Sequence, residues 1–162
     1  MIDISRIIRE EFNNFNRGEY LSWKRKNVTL RGIKELGYDN EVFGSFGKGL
    51  YTTPLSNRSM AKSYGKVYFV VNGKPIKPKV VNNLNEAEIW IQKLVYNFCK
   101  ENGEEYSLRY FEDNTSIEKE MLDLGYDGLV IKGREMVNYK PKDVLYFENE
   151  YQLENYYKNN YL

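Results

Sequence analysis

The sequence predicts one α+β domain with a mainly antiparallel β-sheet core and flanking helices. Short β-prone runs alternate with helical stripes of apolar residues, but without the regular β-α-β period of a parallel sheet. The chain has 162 residues, which suffices for one domain with its own core. No repeat or linker divides it, so we expect a single domain over 1–162, with residues 1–27 as a helical extension packed on it.

Composition excludes several functions. The chain has no histidine, which removes His-dependent triads and imidazole metal sites, and nothing else points to a metal. The formal net charge of +1 gives no electrostatic argument for nucleic acid or membrane. Cys99 is the only cysteine, so no disulfide forms within the chain. With no apolar run near the roughly 20 residues of a membrane helix and no secretory pattern, we expect a cytoplasmic monomer without membrane association.

The N-terminal half is predicted to alternate helices, strands and one long loop. Its elements are, in order, a helix at 1–17, a strand at 28–32, a helical turn at 33–37, a glycine-rich loop at 38–49, a strand at 50–53, a short helix from Ser56 to Gly65 and a strand at 67–71. Ser56 is a preferred N-cap residue, and Gly65 can end its helix in a left-handed conformation. The loop is long enough to suggest a function.

The C-terminal half begins with extended residues at 74–81 and the strongest predicted helix. Asn85 caps that helix, Glu88 completes a capping box and Gly103 ends it. Its core-facing stripe comprises Ala87, Trp90, Ile91, Leu94, Val95 and Phe98. After an ambiguous stretch at 106–113, the elements are a helix from Thr115 or Ser116 to Gly125, strands at 128–131, 135–139 and 144–147, and a helix at 151–157.

Three short runs contain the residues with potential chemistry. The most informative is FGKGLYTTPLSNRSMAKSYG at 46–65, which predicts a glycine loop, a strand, a turn and a helix. Its glycines allow backbone N–H groups to approach a ligand that a Cβ would keep away. The other two are the strand VTLRG at 28–32 and the run GREMVNYKPKDV at 133–144, whose strand starts with Glu135.

Taken in this order, the runs resemble the ADP-ribosyltransferase superfamily, and more closely its poly(ADP-ribose) polymerase-like, or diphtheria-toxin-like, branch. That branch has a strand ending in His-Gly, then Gly-Lys-Gly-Ile-Tyr-Phe before a helix with a second tyrosine, then Glu-Tyr-Ile-Val-Tyr. The glycines, Tyr51, Tyr64 and Glu135 match this pattern, whereas Arg31 replaces the histidine. The resemblance covers roughly residues 28–147, except that 72–125 matches nothing recognisable, and it implies the family's split β-sheet.

The resemblance implies that NAD is the substrate and that no metal is needed. Glu135 would stabilise the oxocarbenium-like ribose formed when the nicotinamide bond breaks. Tyr51 and Tyr64 would stack on the nicotinamide ring. Gly32 would offer its backbone N–H and C=O to the carboxamide, and Gly49 belongs to the glycine loop that approaches the cofactor.

Arg31 and two threonines match another branch of the superfamily, the toxin-like branch with an Arg-Ser-Glu signature. There, an arginine at this position contacts the dinucleotide, including phosphate, which suits its fork of donors. Thr52 and Thr53 loosely match the branch's Ser-Thr-Ser strand, and their hydroxyls would brace Glu135. The predicted catalytic residues are Glu135, Tyr51 and Arg31. The predicted NAD-binding residues are Arg31, Gly32, Gly49, Tyr51, Thr52 and Tyr64.

The resemblance favours a mono-ADP-ribosyltransferase, since the chain lacks the further domains of true polymerases. Gly133 stands where arginine-modifying members carry Glu or Gln, which argues against an arginine acceptor. We expect a protein acceptor in preference to a nucleic acid, in the setting of a toxin or phage anti-defence effector. A basic rim would contact phosphates, an acceptor or solvent: Lys48, Arg58, Lys62 and Lys66. Alternatives are a catalytically silent module that binds and inhibits a protein partner, an RNA 2′-phosphotransferase relative, and NAD hydrolysis.

Overall fold

The computed structural model describes residues 27–34 and 42–161, which form a mixed α+β fold with two mostly antiparallel sheets. This confirms the predicted fold class. The strands are β1 (Val28–Ile33), β2 (Val42–Gly44), β3 (Gly47–Thr52), β4 (Lys66–Val71), β5 (Pro78–Val81), β6 (Gly128–Ile131), β7 (Glu135–Asn138) and β8 (Leu145–Phe147). The helices are α1 (Arg58–Lys62), α2 (Leu84–Glu101), α3 (Leu108–Asn114), α4 (Ile117–Asp123) and α5 (Glu150–Tyr161), with a 3-10 turn at Leu55–Asn57 before α1.

The two sheets have three and five strands. The smaller sheet has the order β1-β4-β8, and the larger has the order β2-β3-β7-β6-β5. Every pairing is antiparallel except that of β5 with β6. Only β2–β3 and β6–β7 are hairpins, and the other four pairings join strands that are distant along the chain.

The two sheets are joined by one isolated pair between β1 and the end of β3. Leu30 and Thr53 exchange two backbone hydrogen bonds of 2.8 Å. In an antiparallel arrangement, the next residues to face each other would be Gly32 and Tyr51. Instead, the sheets diverge at this point, because β1 continues along β4 while Tyr51 lies on a strand that pairs with β7. A split therefore opens between Gly32 and Tyr51.

Three clusters of apolar residues form the core. The largest lies between the five-stranded sheet and helices α2 and α4, and includes Leu94, Met121 and Val137. The second packs α1 and α5 against the three-stranded sheet through Ala61 and Leu153. The third joins α2 to α3. The helical stripe predicted for the core is confirmed for Ala87, Leu94 and Val95, which are buried, whereas Trp90, Ile91 and Phe98 are half-buried.

The start of α2 was placed two residues too late by the sequence. Asn83, not Asn85, is the N-cap, and its side chain accepts a 2.9 Å hydrogen bond from the backbone of Glu86. The carboxylate of Glu86 in turn accepts from the backbone of Asn82 at 2.8 Å. The capping pair is thus present two residues earlier than predicted, because Leu84 packs against the main core and begins the helix there.

The loop prediction at 38–49 was wrong for its second half, which contains β2 and the first residues of β3. Glycines predicted a loop here, but they serve close packing: a Cβ on Gly44 would lie 2.5 Å from the ring of Tyr51. Ser56 is not an N-cap either, because it lies within the 3-10 turn and Asn57 precedes α1. Ile33, predicted as helical, ends β1, and the ambiguous stretch at 106–113 contains most of α3.

Other predicted boundaries agree with the structure. Ser116 caps α4, and the glycines predicted to end helices have positive φ: Gly65 (143°), Gly103 (71°) and Gly125 (91°). The predicted helix at 1–17 and residues 35–37 of the predicted helical turn lie outside the described residues, as does all but the last residue of the extension at 1–27.

Candidate functional site

A cleft of about 530 Å³ opens where the two sheets separate. Its walls come from β1, the end of β3, α1 and the first residue of β7. Six of the seven residues predicted to bind or transform NAD lie in its lining: Arg31, Gly32, Tyr51, Thr52, Tyr64 and Glu135. Three stretches that are far apart in the sequence therefore meet at one place, and it is the place where the sheet is split.

Gly32 presents its backbone to the split. Leu30 uses its N–H and C=O on Thr53, and strand residues two apart point their backbone groups to the same edge. The N–H and C=O of Gly32 therefore face the opening. The absence of a side chain has a separate cause, because a Cβ would lie 1.6 Å from the carbonyl oxygen of Ala61. Glycine is thus required for α1 to pack against β1, whatever the cleft binds.

Arg31 is the buried cation of the cleft, with only 6% of its surface exposed. One guanidinium nitrogen, Nη1, donates a 3.0 Å hydrogen bond to the backbone oxygen of Tyr51. That bond crosses the split and ties β1 to β3 where sheet pairing has stopped. Burial lowers the pKa of Arg31 and the nearby Tyr146 opposes this shift, but an arginine remains charged at any physiological pH. The site therefore holds a permanent positive charge in a largely dry setting.

Tyr51 forms one wall of the cleft, and its hydroxyl is fixed by the adjacent turn. The hydroxyl accepts a 3.1 Å hydrogen bond from the backbone N–H of Phe46 and donates to the carbonyl of Gly47. Gly44 leaves room for the ring. Burial raises the pKa of Tyr51 well above its usual range, so the hydroxyl stays protonated and keeps donating. The ring is therefore held in one orientation before any ligand arrives.

Tyr64 lies at the mouth of the same cleft, after the end of α1, and is 62% exposed. It differs from Tyr51 in having an exposed ring. Both tyrosines line one cleft, so aromatic surface is available there for stacking on a flat ligand.

Glu135 is the carboxylate of the lining. Its side chain is only 15% exposed, and Nε of the neighbouring Arg134 lies 3.7 Å from its Oε1. Burial raises the pKa of Glu135, and Arg134 partly opposes that rise. Asn57 donates a 2.8 Å hydrogen bond to the carbonyl of Arg134, which fixes the hairpin turn that ends at Glu135. The carboxylate is thus largely removed from solvent, and the turn before it is held by Asn57.

The two threonines do not brace Glu135. Thr52 and Thr53 line the cleft and are buried, but neither hydroxyl has a hydrogen-bond partner among the described residues. The expectation that these hydroxyls hold the carboxylate is therefore wrong in this structure. Their burial at the junction of the sheets fits packing, since β-branched residues suit a strand.

Gly49 is the predicted site residue that the structure does not bring into the cleft. It lies within β3, and a Cβ there would lie 2.6 Å from the carbonyl oxygen of Asn138 and 2.7 Å from Val137. The residue is glycine because β3 and β7 pack closely at this point. Its similarity to the family's glycine loop reflects the shape of the strand and not an approach to the cleft.

Sequence reasoning missed several apolar residues of the lining. Leu30, Ile33, Val42, Met60 and Ala61 give the cleft its apolar surface. A mostly apolar cleft with a few polar groups is the usual character of small-molecule sites. The one available signal was position, because Met60 and Ala61 lie in the helix between the two tyrosines. Lys34 also lines the cleft and adds a second cation.

The basic rim predicted around this unit does not line the cleft. Lys66 forms a 3.1 Å ion pair with Glu148, and the guanidinium of Arg58 lies 5.6 Å from the centre of the Phe69 ring. None of the four rim residues belongs to the cleft lining. Lys34 belongs to the cleft lining, and Nε of Arg134 lies 3.7 Å from Oε1 of Glu135.

Comparisons with known proteins gave no match: no family model, no curated protein and no solved structure is significantly similar to the chain. Within residues 27–34 and 42–161, no cluster of His, Cys, Asp and Glu side chains could hold a metal ion. The same residues include no helix with the length and apolar character needed to cross a bilayer.

Proposed function

We propose that this protein binds NAD in the cleft, cleaves the nicotinamide–ribose bond and transfers ADP-ribose to a macromolecular acceptor. The observation that carries the proposal is the convergence of Gly32, Tyr51, Tyr64 and Glu135 on one cleft. These residues come from separate stretches, and each has the chemical character that one part of the reaction needs. An aromatic pair suits a flat ring, and an exposed backbone edge suits a carboxamide.

The nicotinamide would enter between Tyr51 and Tyr64. The backbone edge of Gly32 offers one donor and one acceptor, which is what a carboxamide group requires. The fixed ring of Tyr51 limits the orientations of the leaving group, and a rigid wall makes binding less costly in entropy. A cleft of about 530 Å³ holds the nicotinamide and its ribose, so the adenosine end would extend toward the open side.

Glu135 would act on the ribose. The C–N bond to nicotinamide breaks, its electron pair goes to the positively charged ring nitrogen, and neutral nicotinamide leaves. The ribosyl cation left behind is stabilised by the nearby carboxylate, and this interaction is strongest in a desolvated site. An acceptor nucleophile then bonds to the anomeric carbon and loses its proton to solvent. The half-buried position of Glu135 suits this role, provided that it is ionised.

Arg31 and Lys34 would balance the negative charge of the NAD pyrophosphate. Both are cations of the lining, and no carboxylate pairs with the buried Arg31 among the described residues. We propose a single transfer to a protein or nucleic-acid acceptor. We place the activity in the setting of a toxin or a phage effector only as an extension of this proposal.

The experiment is incubation of the protein with NAD labelled in the adenylate part, together with a cell lysate, while nicotinamide release is measured in parallel. Glu135→Gln removes the charge of the carboxylate, and Glu112→Gln removes an exposed carboxylate of α3 as the matched control. We expect label on a discrete acceptor for the wild type and Glu112→Gln, and none for Glu135→Gln. Release of nicotinamide without label would instead indicate hydrolysis.

One observation favours a second function, a silent module that binds NAD or a partner without turnover. The guanidinium of Arg31 is nearly fully buried and already bonded to Tyr51, so it is less open to a ligand than a catalytic group would be. NAD binding by calorimetry, with no release of nicotinamide from any variant, would support this alternative. Absence of both binding and release would contradict the transferase and any silent binding of NAD.

A further inference from the structure

The turn at Ser45 and Phe46 lies between two tyrosine hydroxyls. On one side, Tyr51 accepts from the N–H of Phe46 and donates to the carbonyl of Gly47. On the other side, the hydroxyl of Tyr139 donates a 2.7 Å hydrogen bond to the carbonyl of Phe46. The backbone of this one turn therefore connects Tyr51, which lines the cleft, with Tyr139, which does not.

Tyr139 is well placed to act as a fixed support. It is 7% exposed, belongs to the main apolar cluster together with Phe46, and its own N–H donates a 2.8 Å bond to Asp127. Burial raises the pKa of its hydroxyl well above the usual range, so the hydroxyl remains a donor at all physiological pH values. The carbonyl of Phe46 would be left without this donor if the hydroxyl were removed.

A third contact supports the same turn. The carboxylate of Glu118, on α4, accepts a 3.0 Å hydrogen bond from the backbone N–H of Lys48. A Cβ on Gly47 would lie 2.8 Å from that carboxylate, so α4 packs directly on the turn. The turn that fixes Tyr51 is therefore itself held from the core by Tyr139 and from α4 by Glu118.

We propose that Tyr139 is a positioning residue for the ring of Tyr51, acting through the Phe46 turn. Removal of its hydroxyl would release the turn, and the anchor of the Tyr51 hydroxyl would move with it. Binding of the flat ligand that stacks on Tyr51 would be weakened, and this part of the inference rests on the proposed function. Ligands that contact other parts of the cleft would be affected less.

The test compares the wild type, Tyr139→Phe, Tyr51→Phe and the double variant in titrations with nicotinamide and with ADP-ribose. We expect Tyr139→Phe to weaken nicotinamide binding by about tenfold, the size expected for a lost buried hydrogen bond, and ADP-ribose binding by less than about twofold. Because both hydroxyls act on one turn, the double variant should lose no more than Tyr51→Phe alone. General loosening of the fold would not give this selectivity for one ligand.

Tyr110→Phe is the matched control, since this partly buried tyrosine lies within α3 and outside the cleft lining. No hydrogen bond of its hydroxyl is found among the described residues. Equal losses for the two ligands, additive losses in the double variant or no loss for Tyr139→Phe would each overturn the proposal. If Tyr139→Phe does not fold, Glu118→Ala is measured in its place with the same expected selectivity.

A measurement without ligand separates this proposal from the proposed function. Amide hydrogen exchange at Phe46 should become faster in Tyr139→Phe by about tenfold, because the turn opens more often. Unchanged exchange at Phe46 overturns the positioning role, even if the wild type binds nicotinamide. Faster exchange in a protein that binds no nicotinamide supports the positioning role and contradicts the proposed function.

Discussion

The strands at the split and the helices α2, α3 and α4, together the helical region, bury different kinds of side chain. Helices α2, α3 and α4 bury apolar side chains and cysteine alone, such as Leu94, Phe111 and Met121. The buried polar or charged residues within 27–34 and 42–161 all lie on β1, β7 and the end of β3: Thr29, Arg31, Thr52, Thr53 and Asn138. Burial of polar groups without full hydrogen bonding costs stability, so burial at the split stabilises the fold less than burial in the helices does.

The helix ends differ in the same sense. The helices of the helical region begin with a side chain that caps the backbone: Asn83, Ser107 and Ser116. Asn57 occupies the same position before α1, but its amide donates to the carbonyl of Arg134 and caps nothing. Side-chain capping therefore stabilises the helices of the helical region but not α1. Such departures are expected where residues are arranged for a function.

The largest expected effect is on the activity of the split region. Glu135→Gln should reduce nicotinamide release by about 10²–10³-fold, the size seen when one electrostatic stabiliser of a transition state is removed. Release is measured by chromatography, with Glu112→Gln as the control. Glu135→Gln with activity near that of the wild type would mean that the half-buried carboxylate has no catalytic role.

The next effect is on stability. Gly32→Ala should lower the free energy of unfolding by about 2–4 kcal/mol, because the new Cβ meets the rigid backbone of α1 at Ala61. Gly103→Ala is the comparison, because its glycine has φ of 71° and open space around it, and we expect a loss of only about 1 kcal/mol. Urea unfolding measures both. Equal losses would show that β1 and α1 adjust to the side chain.

The third prediction separates a cap from a positioning contact. Ser107→Ala should cost about 1 kcal/mol of stability, since its side chain accepts from Tyr110, and should leave nicotinamide release unchanged. Asn57→Ala should cost less stability but reduce release several-fold, since it frees the turn before Glu135. Thermal unfolding compares the stability of the two variants, and the release assay compares their activity. The reverse ranking for either measurement would contradict the contrast between the regions.

The smallest effect concerns pH. Burial raises the pKa of Glu135 above its unfolded value, so the folded protein holds this proton more tightly than the unfolded chain. Stability from this group is complete below the unfolded pKa of about 4.3 and is lost as pH rises through the folded pKa. Glu135→Gln should therefore unfold at a higher temperature than the wild type at pH 7, and the difference should vanish below about pH 4. A lower unfolding temperature at pH 7 would show that the carboxylate is stabilised when charged.

The sequence predicted the elements with strong periodicity and clear glycine ends, such as α2 and its stop at Gly103. It misplaced those whose limits depend on tertiary contacts. Leu84 begins α2 early because it reaches the core, and the glycines at 44 and 49 mark close packing in a hairpin and not a loop. Composition cannot distinguish a glycine that turns the chain from one that admits a neighbour.

Six residues that line the cleft were predicted from spacing and residue type, but the contacts that support them were not. Asn57 and Tyr139 lie within the runs at 46–65 and 133–144, but residue type gave no sign of their contacts. Each acts on a backbone carbonyl that is distant along the chain. The hydrogen bond from Arg31 to Tyr51 could not be predicted from the sequence either, because a motif gives the identity of a residue and not the atom that it bonds. The prediction that Arg31 contacts phosphate remains a prediction.

The most direct test of the account is a nicotinamide titration of the wild type, followed by the amide NMR signals of residues in the two regions. We predict shifts at Gly32 and Tyr51, whose backbone groups face the split, and none at Val95 and Phe111 in the helical core. Shifts confined to the helical region, or no shift anywhere at millimolar nicotinamide, would contradict the claim that the split between the sheets is the functional site.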